Sequence, residues 1–267
     1  MVYLRQLLAN EGGAGRLDRA ALDLVTLEEP DFDPAPCLDR LNELASSLGD
    51  RLRNFNDGRD FVEKARAYLF EELGFHGNQT EYFDPRNSFL NHVLERRTGL
   101  PITLSVLYLE IARRLHMPVY GIDLPRHFIV QFDDGRYSAF IDPFHGGAVV
   151  TVAECYALAR APEGGLHLLE RSTNRRILIR MLRNLLNVYL RLRNFPSSLA
   201  VMDLLVHADP LTPELYRQRG GLQVKLNHLQ RARSDYEKYL ELAPSAKDRE
   251  TVVEQLEAIH HWLGRMN

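Results

Sequence analysis

His127 and Asp142 are the residues whose types and spacing best suit acid–base chemistry. His127 begins a run of β-branched and aromatic residues at 127–132, and Asp142 ends a second such run at 137–142. A tight Gly-containing turn at 133–136 separates the two runs, so they are predicted to form an antiparallel hairpin. The start of the first strand then lies opposite the end of the second, which brings the imidazole close to the carboxylate. Such a pair could act as a general base and the group that orients it.

Two hydroxyl residues, Thr103 and Ser105, are candidate nucleophiles for that base. They fall in the first turn of a predicted helix at 102–116, which is apolar on nearly all sides and is therefore expected to be buried. Free backbone N–H groups and the positive end of the helix dipole favour an anion or a lowered pKa at this turn. Alternatively, both hydroxyls bond only to nearby backbone groups, as hydroxyls in a first helical turn often do.

Three motifs in this region resemble those of a known family. They are Arg97-x-Gly99-x-Pro101-Ile102-x-Leu104-Ser105, Pro125-x-His127-Phe128 and Asp142-Pro143-Phe144-x-Gly146-Gly147. The order of a buried helix, a strand His and a next-strand Asp resembles the transglutaminase-like superfamily, which is related to papain-like cysteine proteases. The motifs themselves most resemble its SirB1 branch. The resemblance implies that, in active members, a Cys at the helix N-terminus attacks an acyl carbon, the His is its base and the Asp orients the His.

This chain has the His and the Asp but no Cys at the corresponding position. Counted back from Met117-Pro118, the superfamily's Cys position falls near residues 101–103, where there is no thiol. The resemblance therefore favours a degenerate, non-catalytic site. In that site His127 and Asp142 hold the hairpin together or bind a ligand.

Other residues around the helix start leave alternatives open. Thr103 or Ser105 could still be activated by His127, as in serine hydrolases, which would make the protein an acyl hydrolase or transferase. Asn91 and Arg97 precede the helix and could either bind an acidic group or cap helix ends. The candidate ligand-binding residues are Asn91, Arg97 and Pro101.

The last third of the sequence contains a repeat. Asp209-Pro210 and Ala243-Pro244 stand 34 residues apart, which is the period of tetratricopeptide repeats. The prediction is two repeats, at about 179–212 and 213–246, followed by a capping helix at 248–263. Two repeats are fewer than the three usually needed for stability, so this unit is expected to dock against the front domain. Such helical pairs generally bind proteins, although here they could instead only buttress the front domain.

The predicted fold class is α+β. A helical N-terminal preface leads into a transglutaminase/papain-like core with a small antiparallel sheet, and an all-α tetratricopeptide-repeat unit follows. The predicted helices before the hairpin are 15–28, 38–52 and 60–73, and the predicted elements after it are a helix at 149–161 and a strand at 166–169. The predicted domains are 1–174 and 175–267.

Composition argues against several kinds of site. The two cysteines, Cys37 and Cys155, are not a spaced pair, and the ten histidines show no HExxH-type spacing. No disulfide framework, metal site or cofactor is therefore predicted. No apolar run approaches the ~20 residues of a membrane-spanning helix, and the N-terminus becomes charged too soon for a signal peptide, so a cytoplasmic protein is expected.

Three functions are compatible with the sequence. The first is a non-catalytic interaction or regulatory protein that binds a protein partner through the repeats; the SirB1 resemblance implies this role and an association with regulation of gene expression. The second is an acyl hydrolase or transferase with a hydroxyl nucleophile. The third, nucleic-acid binding, is disfavoured: residues 171–267 carry 16 Lys and Arg against 10 Asp and Glu, but without interleaved aromatic residues or a known motif. The oligomeric state is not predicted.

Overall fold

The protein folds as two compact units, Met1–Met181 and Leu182–Asn267. A computed structural model describes residues 1–10, 15–53, 57–162 and 166–264. The chain is 65% helical with a small antiparallel sheet, which confirms the predicted α+β class. The predicted domain boundary at residue 174 coincides with the start of helix Asn174–Arg191, and the division between the units falls within this helix.

The first unit consists of short helices around one sheet. Its helices are α1 (Val2–Ala9), α2 (Leu17–Asp23), α3 (Ala35–Arg51), α4 (Gly58–Arg66), α5 (Leu90–Arg96), α6 (Pro101–Arg114), α7 (Val152–Ala159) and the start of α8 (Asn174–Arg191). Its strands are β1 (His76–Gly77), β2 (Thr98–Gly99), β3 (Val119–Leu124), β4 (His127–Asp133), β5 (Ser138–Asp142), β6 (Ala148–Val150) and β7 (Arg171–Ser172). A π-helix at 67–72 continues α4, and short 3-10 helices occupy 24–27, 85–88, 143–145 and 166–169.

The sheet that carries the hairpin has the order β6-β5-β4-β3-β7, and all of its pairs are antiparallel. Strands β4 and β5 pair from Asp133↔Ser138 to Val130↔Ile141, which confirms the predicted hairpin. On its other side β4 pairs with β3, where Leu124 lies opposite His127. His127 and Asp142 therefore occupy adjacent ends of two neighbouring interior strands of this sheet.

Helix α6 is buried along almost its whole length, as predicted. All of its residues except Leu109, Arg113 and Arg114 are buried. Pro101 is the first residue of the helix, where a missing N–H costs nothing because the first four N–H groups have no partner within the helix. The helix packs against β3, β4 and α3, so its N-terminal turn is held close to the sheet.

A buried ionic cluster fixes the other end of α6. The Asp18 carboxylate, in α2, is fully buried and accepts hydrogen bonds from Arg16 at 2.8 Å and Arg114 at 2.7 Å, and Arg113 lies 3.3 Å away. The Glu110 carboxylate, also buried, accepts from Arg113 at 2.6 Å and from Arg114 at 2.8 Å. Because α2 and α6 supply opposite charges, the cluster joins the N-terminal helices to the core helix.

In the segment after the hairpin, a predicted helix is present but starts later than predicted, and a predicted strand is wrong. The helix predicted at 149–161 begins at Val152, because residues 148–150 pair with β5 as an edge strand. The capping box of Thr151 and Glu154 is present and marks that start. The strand predicted at 166–169 is a 3-10 helix, and the strand is displaced to 171–172, where it pairs with β3. A short apolar run does not by itself distinguish a strand from a helical turn.

The second unit is all helical. After α8 come α9 (Phe195–Ala208), α10 (Pro213–Lys225), α11 (Leu229–Leu242) and α12 (Arg249–Gly264). Gly220 of α10 faces Tyr236 of α11 so closely that a Cβ on the glycine would lie 2.7 Å from the ring. Ala232 is fully buried nearby. Small residues opposite an aromatic ring let these two helices pack at close range, as in a tetratricopeptide repeat.

Candidate functional site

His127 and Asp142 are in contact. The imidazole Nε2 lies 2.8 Å from Asp142 Oδ2, and because a carboxylate oxygen only accepts, this nitrogen is the donor. Both residues are buried, with His127 8% and Asp142 1% exposed. His127 is the first residue of β4 and Asp142 is the last residue of β5, which are the positions that the predicted hairpin gave them.

The Asp142 carboxylate is held from both sides. Its Oδ1 accepts from the backbone N–H of Phe144 at 3.0 Å and of His145 at 3.4 Å, so it caps the 3-10 helix that follows β5. Burial by itself would raise the pKa of Asp142, but hydrogen bonds from His127 and His145 outweigh it and lower the pKa below the ordinary aspartate value. The carboxylate is therefore ionised and rigidly oriented at neutral pH.

His145 is a third member of the site that the sequence reasoning missed. Its Nδ1 lies 2.8 Å from the same Asp142 Oδ2 that His127 contacts. The two imidazole rings are 5.7 Å apart and nearly parallel, and the His145 side chain is 47% exposed. The signal was the Asp-Pro-x-His spacing: a proline after the aspartate starts a helical turn, and residues three apart in such a turn share a face.

The two candidate nucleophiles are bonded elsewhere. Thr103 and Ser105 are fully buried in the first turns of α6. The Thr103 hydroxyl donates to the Asn87 carbonyl at 2.7 Å, and the Ser105 hydroxyl makes a longer bond of 3.4 Å to the carbonyl of Phe128, the residue after His127. Neither hydroxyl is hydrogen-bonded to the His127 imidazole in the part of the chain that the structure describes.

The three candidate ligand-binding residues have separate surroundings. Pro101 is buried at the first position of α6. Arg97 adopts a left-handed conformation at the C-cap of α5, and its guanidinium donates to the Leu73 carbonyl at 2.9 Å. Asn91 is half-buried, and its side-chain oxygen has no hydrogen-bond partner among the described residues. Arg97 therefore caps the C-terminal ends of two helices, α5 and the π-helix at 67–72.

Neither thiol is an activated nucleophile. Cys155 is buried in an apolar cluster with Ile122, Leu124 and Ile129, and burial together with the negative charge of Asp142 raises its pKa to about 11. Burial also raises the pKa of Cys37, and the nearby acidic side chains add to the shift. Reactive cysteines have lowered pKa values, so both thiols are protonated and structural at neutral pH.

Aromatic rings pack on one side of the His–Asp pair. The Phe144 ring lies edge-on to the His127 ring, with the centroids 6.0 Å apart, and the Tyr82 ring packs edge-on against Phe144 at 6.1 Å. A Cβ added at Gly77 of β1 would lie 2.4 Å from the Phe144 ring, so only glycine admits the ring at this position. The segment containing β1 and Tyr82 thus covers one side of the pair.

Comparison with known proteins identifies both parts of the chain. Residues 35–183 match the model of the transglutaminase-like superfamily, and residues 185–257 match a tetratricopeptide-repeat model. Among the helices of the described residues, none has the length and apolar character needed to cross a membrane.

Similar proteins occur in bacteria and in mammals. A UPF0162 protein of Xylella fastidiosa strain 9a5c is 40% identical over 67% of this chain and 66% of its own length, slightly under two thirds. A UPF0162 protein of Vibrio cholerae is 32% identical over 82% of this chain and 84% of its own. F-box only protein 21 of Mus musculus is 27% identical over 68% of this chain and 37% of its own. The chain therefore belongs to the transglutaminase-like superfamily and, within it, to the SirB1-like family of UPF0162 proteins.

Proposed function

We propose that this chain is a protein-interaction module of the cytosol with a regulatory role, and that its transglutaminase-like unit does not transfer acyl groups. The observation that supports this most strongly is the start of α6. Pro101 stands at or beside the superfamily's Cys position, and the hydroxyls of Thr103 and Ser105 both donate to backbone carbonyls. Acyl transfer through a covalent intermediate needs a free nucleophile beside its base. The His127–Asp142 pair would then hold the hairpin together or bind a ligand.

The repeat unit is the part we expect to bind a partner. Tetratricopeptide repeats commonly mediate protein interactions. Large apolar side chains are exposed on this unit, including Leu192 at 54% and Leu211 at 76%. Single exposed apolar residues are common on folded proteins, so the repeat architecture, and not these two side chains alone, supports the assignment. The partner is expected to be a protein segment, and neither a nucleic acid nor a membrane is required.

Changing these two residues should weaken partner binding. We expect proteins captured from a lysate of the source cells by the full chain to be reduced at least ~10-fold by a Leu192→Asp, Leu211→Asp double variant, because a charge placed in an apolar contact costs several kcal/mol of binding free energy. Val149→Asp is the matched control, since Val149 is also an exposed apolar residue, at 53%, but lies in the first unit. Capture that survives the double variant, or is lost only with Val149→Asp, would count against recognition by the repeats.

An acyl hydrolase or transferase with a hydroxyl nucleophile is the second candidate. It is favoured by one observation: the hydrogen bond from the Ser105 hydroxyl to the carbonyl of Phe128, the residue after His127, is 3.4 Å long and therefore weak. A rotation of that side chain would free the hydroxyl. The buried, ionised Asp142 would then orient His127 as the general base.

Covalent labelling separates the two functions. We expect a fluorophosphonate probe to label the wild-type chain no more than a Thr103→Ala, Ser105→Ala double variant, because neither hydroxyl is presented to solvent or to the imidazole. Cys37→Ala serves as the control for probe reacting at an unrelated site, and an active serine hydrolase confirms the reagent. Labelling that disappears in Ser105→Ala or Thr103→Ala but persists in Cys37→Ala would establish the enzyme instead.

A further inference from the structure

Two imidazoles share a single carboxylate oxygen at the adjacent ends of β4 and β5. His127 Nε2 and His145 Nδ1 each lie 2.8 Å from Asp142 Oδ2. One donor is sufficient to orient a carboxylate whose other oxygen is already bonded to two backbone N–H groups. Neither the interaction role nor a hydrolase mechanism uses His145, so the convergence of three side chains on one point calls for a separate explanation.

The three side chains together offer the ligand set of a transition-metal ion. One nitrogen from each histidine and one oxygen from Asp142 all lie within 4.8 Å of one another. Two imidazoles and one carboxylate bind Zn²⁺ in hydrolytic enzymes, where water takes the fourth position. Ca²⁺ and Mg²⁺ prefer shells made of oxygen atoms, which two imidazole nitrogens do not provide. We propose that His127, Asp142 and His145 form a binding site for a divalent transition-metal ion, with Zn²⁺ the best fit.

Hydrogen bonds to the backbone organise the site in advance. Asp142 Oδ1 is fixed by the N–H groups of Phe144 and His145, which leaves Oδ2 to serve as a single-oxygen ligand. Outer contacts of this kind fix the direction of metal ligands and support affinity. His127 is buried and pairs with Leu124 of β3 at the start of its strand, so its ring has little freedom to move away. Two of the three ligands therefore need no large rearrangement.

His145 can rotate to make room for the ion, and its exposure gives the ion and water access to the site. Around an ion with bonds of about 2.1 Å in tetrahedral geometry, neighbouring ligand atoms lie about 3.4 Å apart, so the observed 2.8 Å separations must open by about half an ångström. The His145 side chain is 47% exposed and can rotate to make that space. Its exposure also admits water to complete the coordination shell. Zinc binding here does not require the repeats to hold a partner, so the two proposals can fail separately.

Zinc titration of the full chain tests the site. We expect calorimetry with ZnCl₂ to give one ion per chain, because in the described ranges only this group of His, Cys, Asp and Glu side chains brings three ligand atoms so close together. His145→Ala should weaken binding at least ~10-fold while leaving the thermal unfolding of the metal-free protein nearly unchanged, since the removed ring is half exposed. His261→Ala is the matched control, because it removes an exposed imidazole from α12 and should change nothing.

Cobalt replaces zinc as a spectroscopic probe of the ligands. Co²⁺ added to the wild type and to His261→Ala should give visible absorption bands of a near-tetrahedral ion, and His145→Ala and Asp142→Asn should each abolish them. Asp142→Asn keeps an oxygen that can accept from the backbone, so it separates loss of a metal ligand from loss of the cap. Three results would each overturn the proposal: no zinc binding by the wild type at micromolar concentration, binding that His145→Ala leaves intact, or binding lost in His261→Ala.

Discussion

Asp18→Asn is expected to lower the free energy of unfolding by ~3–5 kcal/mol, the cost of breaking a buried ion pair by removing one partner. The carboxylate is fully buried in the first unit, and it forms ion pairs with three guanidinium groups, those of Arg16, Arg113 and Arg114. An asparagine of the same shape keeps the packing but leaves Glu110 as the remaining carboxylate in the cluster. Urea unfolding followed by circular dichroism would measure the loss.

An exposed pair supplies the control for that substitution. Glu43 bonds to Arg40 at 2.9 Å, but the two side chains are 64% and 43% exposed. Glu43→Gln should therefore cost less than about 1 kcal/mol, since water and salt screen such pairs. Equal losses in the two variants would show that burial of the Asp18 cluster contributes nothing to its strength.

The Asp18 carboxylate also makes the free energy of unfolding depend on pH. Burial would raise the pKa of Asp18, but hydrogen bonds from Arg16 and Arg114 and from the backbone of Arg19 outweigh it and lower the pKa from 3.8 to about 2. A group whose pKa is lower in the folded state stabilises the fold above its unfolded pKa. This contribution, on the order of 2 kcal/mol, is lost as the pH falls from about 4 through about 2. The stability difference between wild type and Asp18→Asn should shrink over that interval, and a constant difference would contradict the assignment.

Local patterns predicted the part of the site that depends on neighbouring residues in the chain. The hairpin follows from two runs of β-branched and aromatic residues and a Gly-containing turn, and it determines that His127 and Asp142 meet. The start of α6 follows from Pro101 and an apolar run. These features need no long-range information, because a turn of four residues fixes the register of both strands.

Contacts between distant residues were not predictable in this way. Asp18 has the pattern of a solvent-facing residue in an amphipathic helix, and its partner Arg114 is 96 residues away. The hydroxyl of Thr103 bonds to the carbonyl of Asn87, which precedes α5 and lies 16 residues earlier in the chain. Strands β1 and β2 have two residues each, too few to show any alternation. In each case tertiary packing decides which polar groups meet, and periodicity carries no information about it.

The role of the candidate site could be predicted from the sequence only in part. The sequence shows that a His and an Asp meet and that a thiol is missing from the helix start. It does not show which way the hydroxyls of Thr103 and Ser105 point, because a first-turn hydroxyl can bond to the backbone or face a pocket. The structure places both on backbone carbonyls. His145 was within reach of local reasoning, since a Pro-initiated turn after Asp142 fixes the i and i+3 positions.

Gly147→Ala is expected to lower the free energy of unfolding by ~2–4 kcal/mol, of which ~1–2 comes from the left-handed backbone and the rest from overpacking. Gly147 has a φ of 69°, and its N–H donates to the Asp142 carbonyl at 2.9 Å, which closes the turn that carries His145. A Cβ here would lie 2.4 Å from the Phe70 ring. That ring in turn stacks on Tyr108 of α6, with the centroids 6.4 Å apart, so it cannot withdraw without disturbing the core.

The adjacent glycine separates the two contributions. Gly146 has the same φ of 69°, but an added Cβ would meet no atom within 4 Å. Gly146→Ala should therefore lose only the backbone part, ~1–2 kcal/mol, and the difference between the variants in urea unfolding measures the contact with Phe70. In a Phe70→Leu background the extra loss at Gly147 should fall, because the flat ring that a Cβ meets is gone. If the difference in unfolding free energy between Gly147→Ala and Gly146→Ala is unchanged in that background, contact with the Phe70 ring is not the cause of the extra loss.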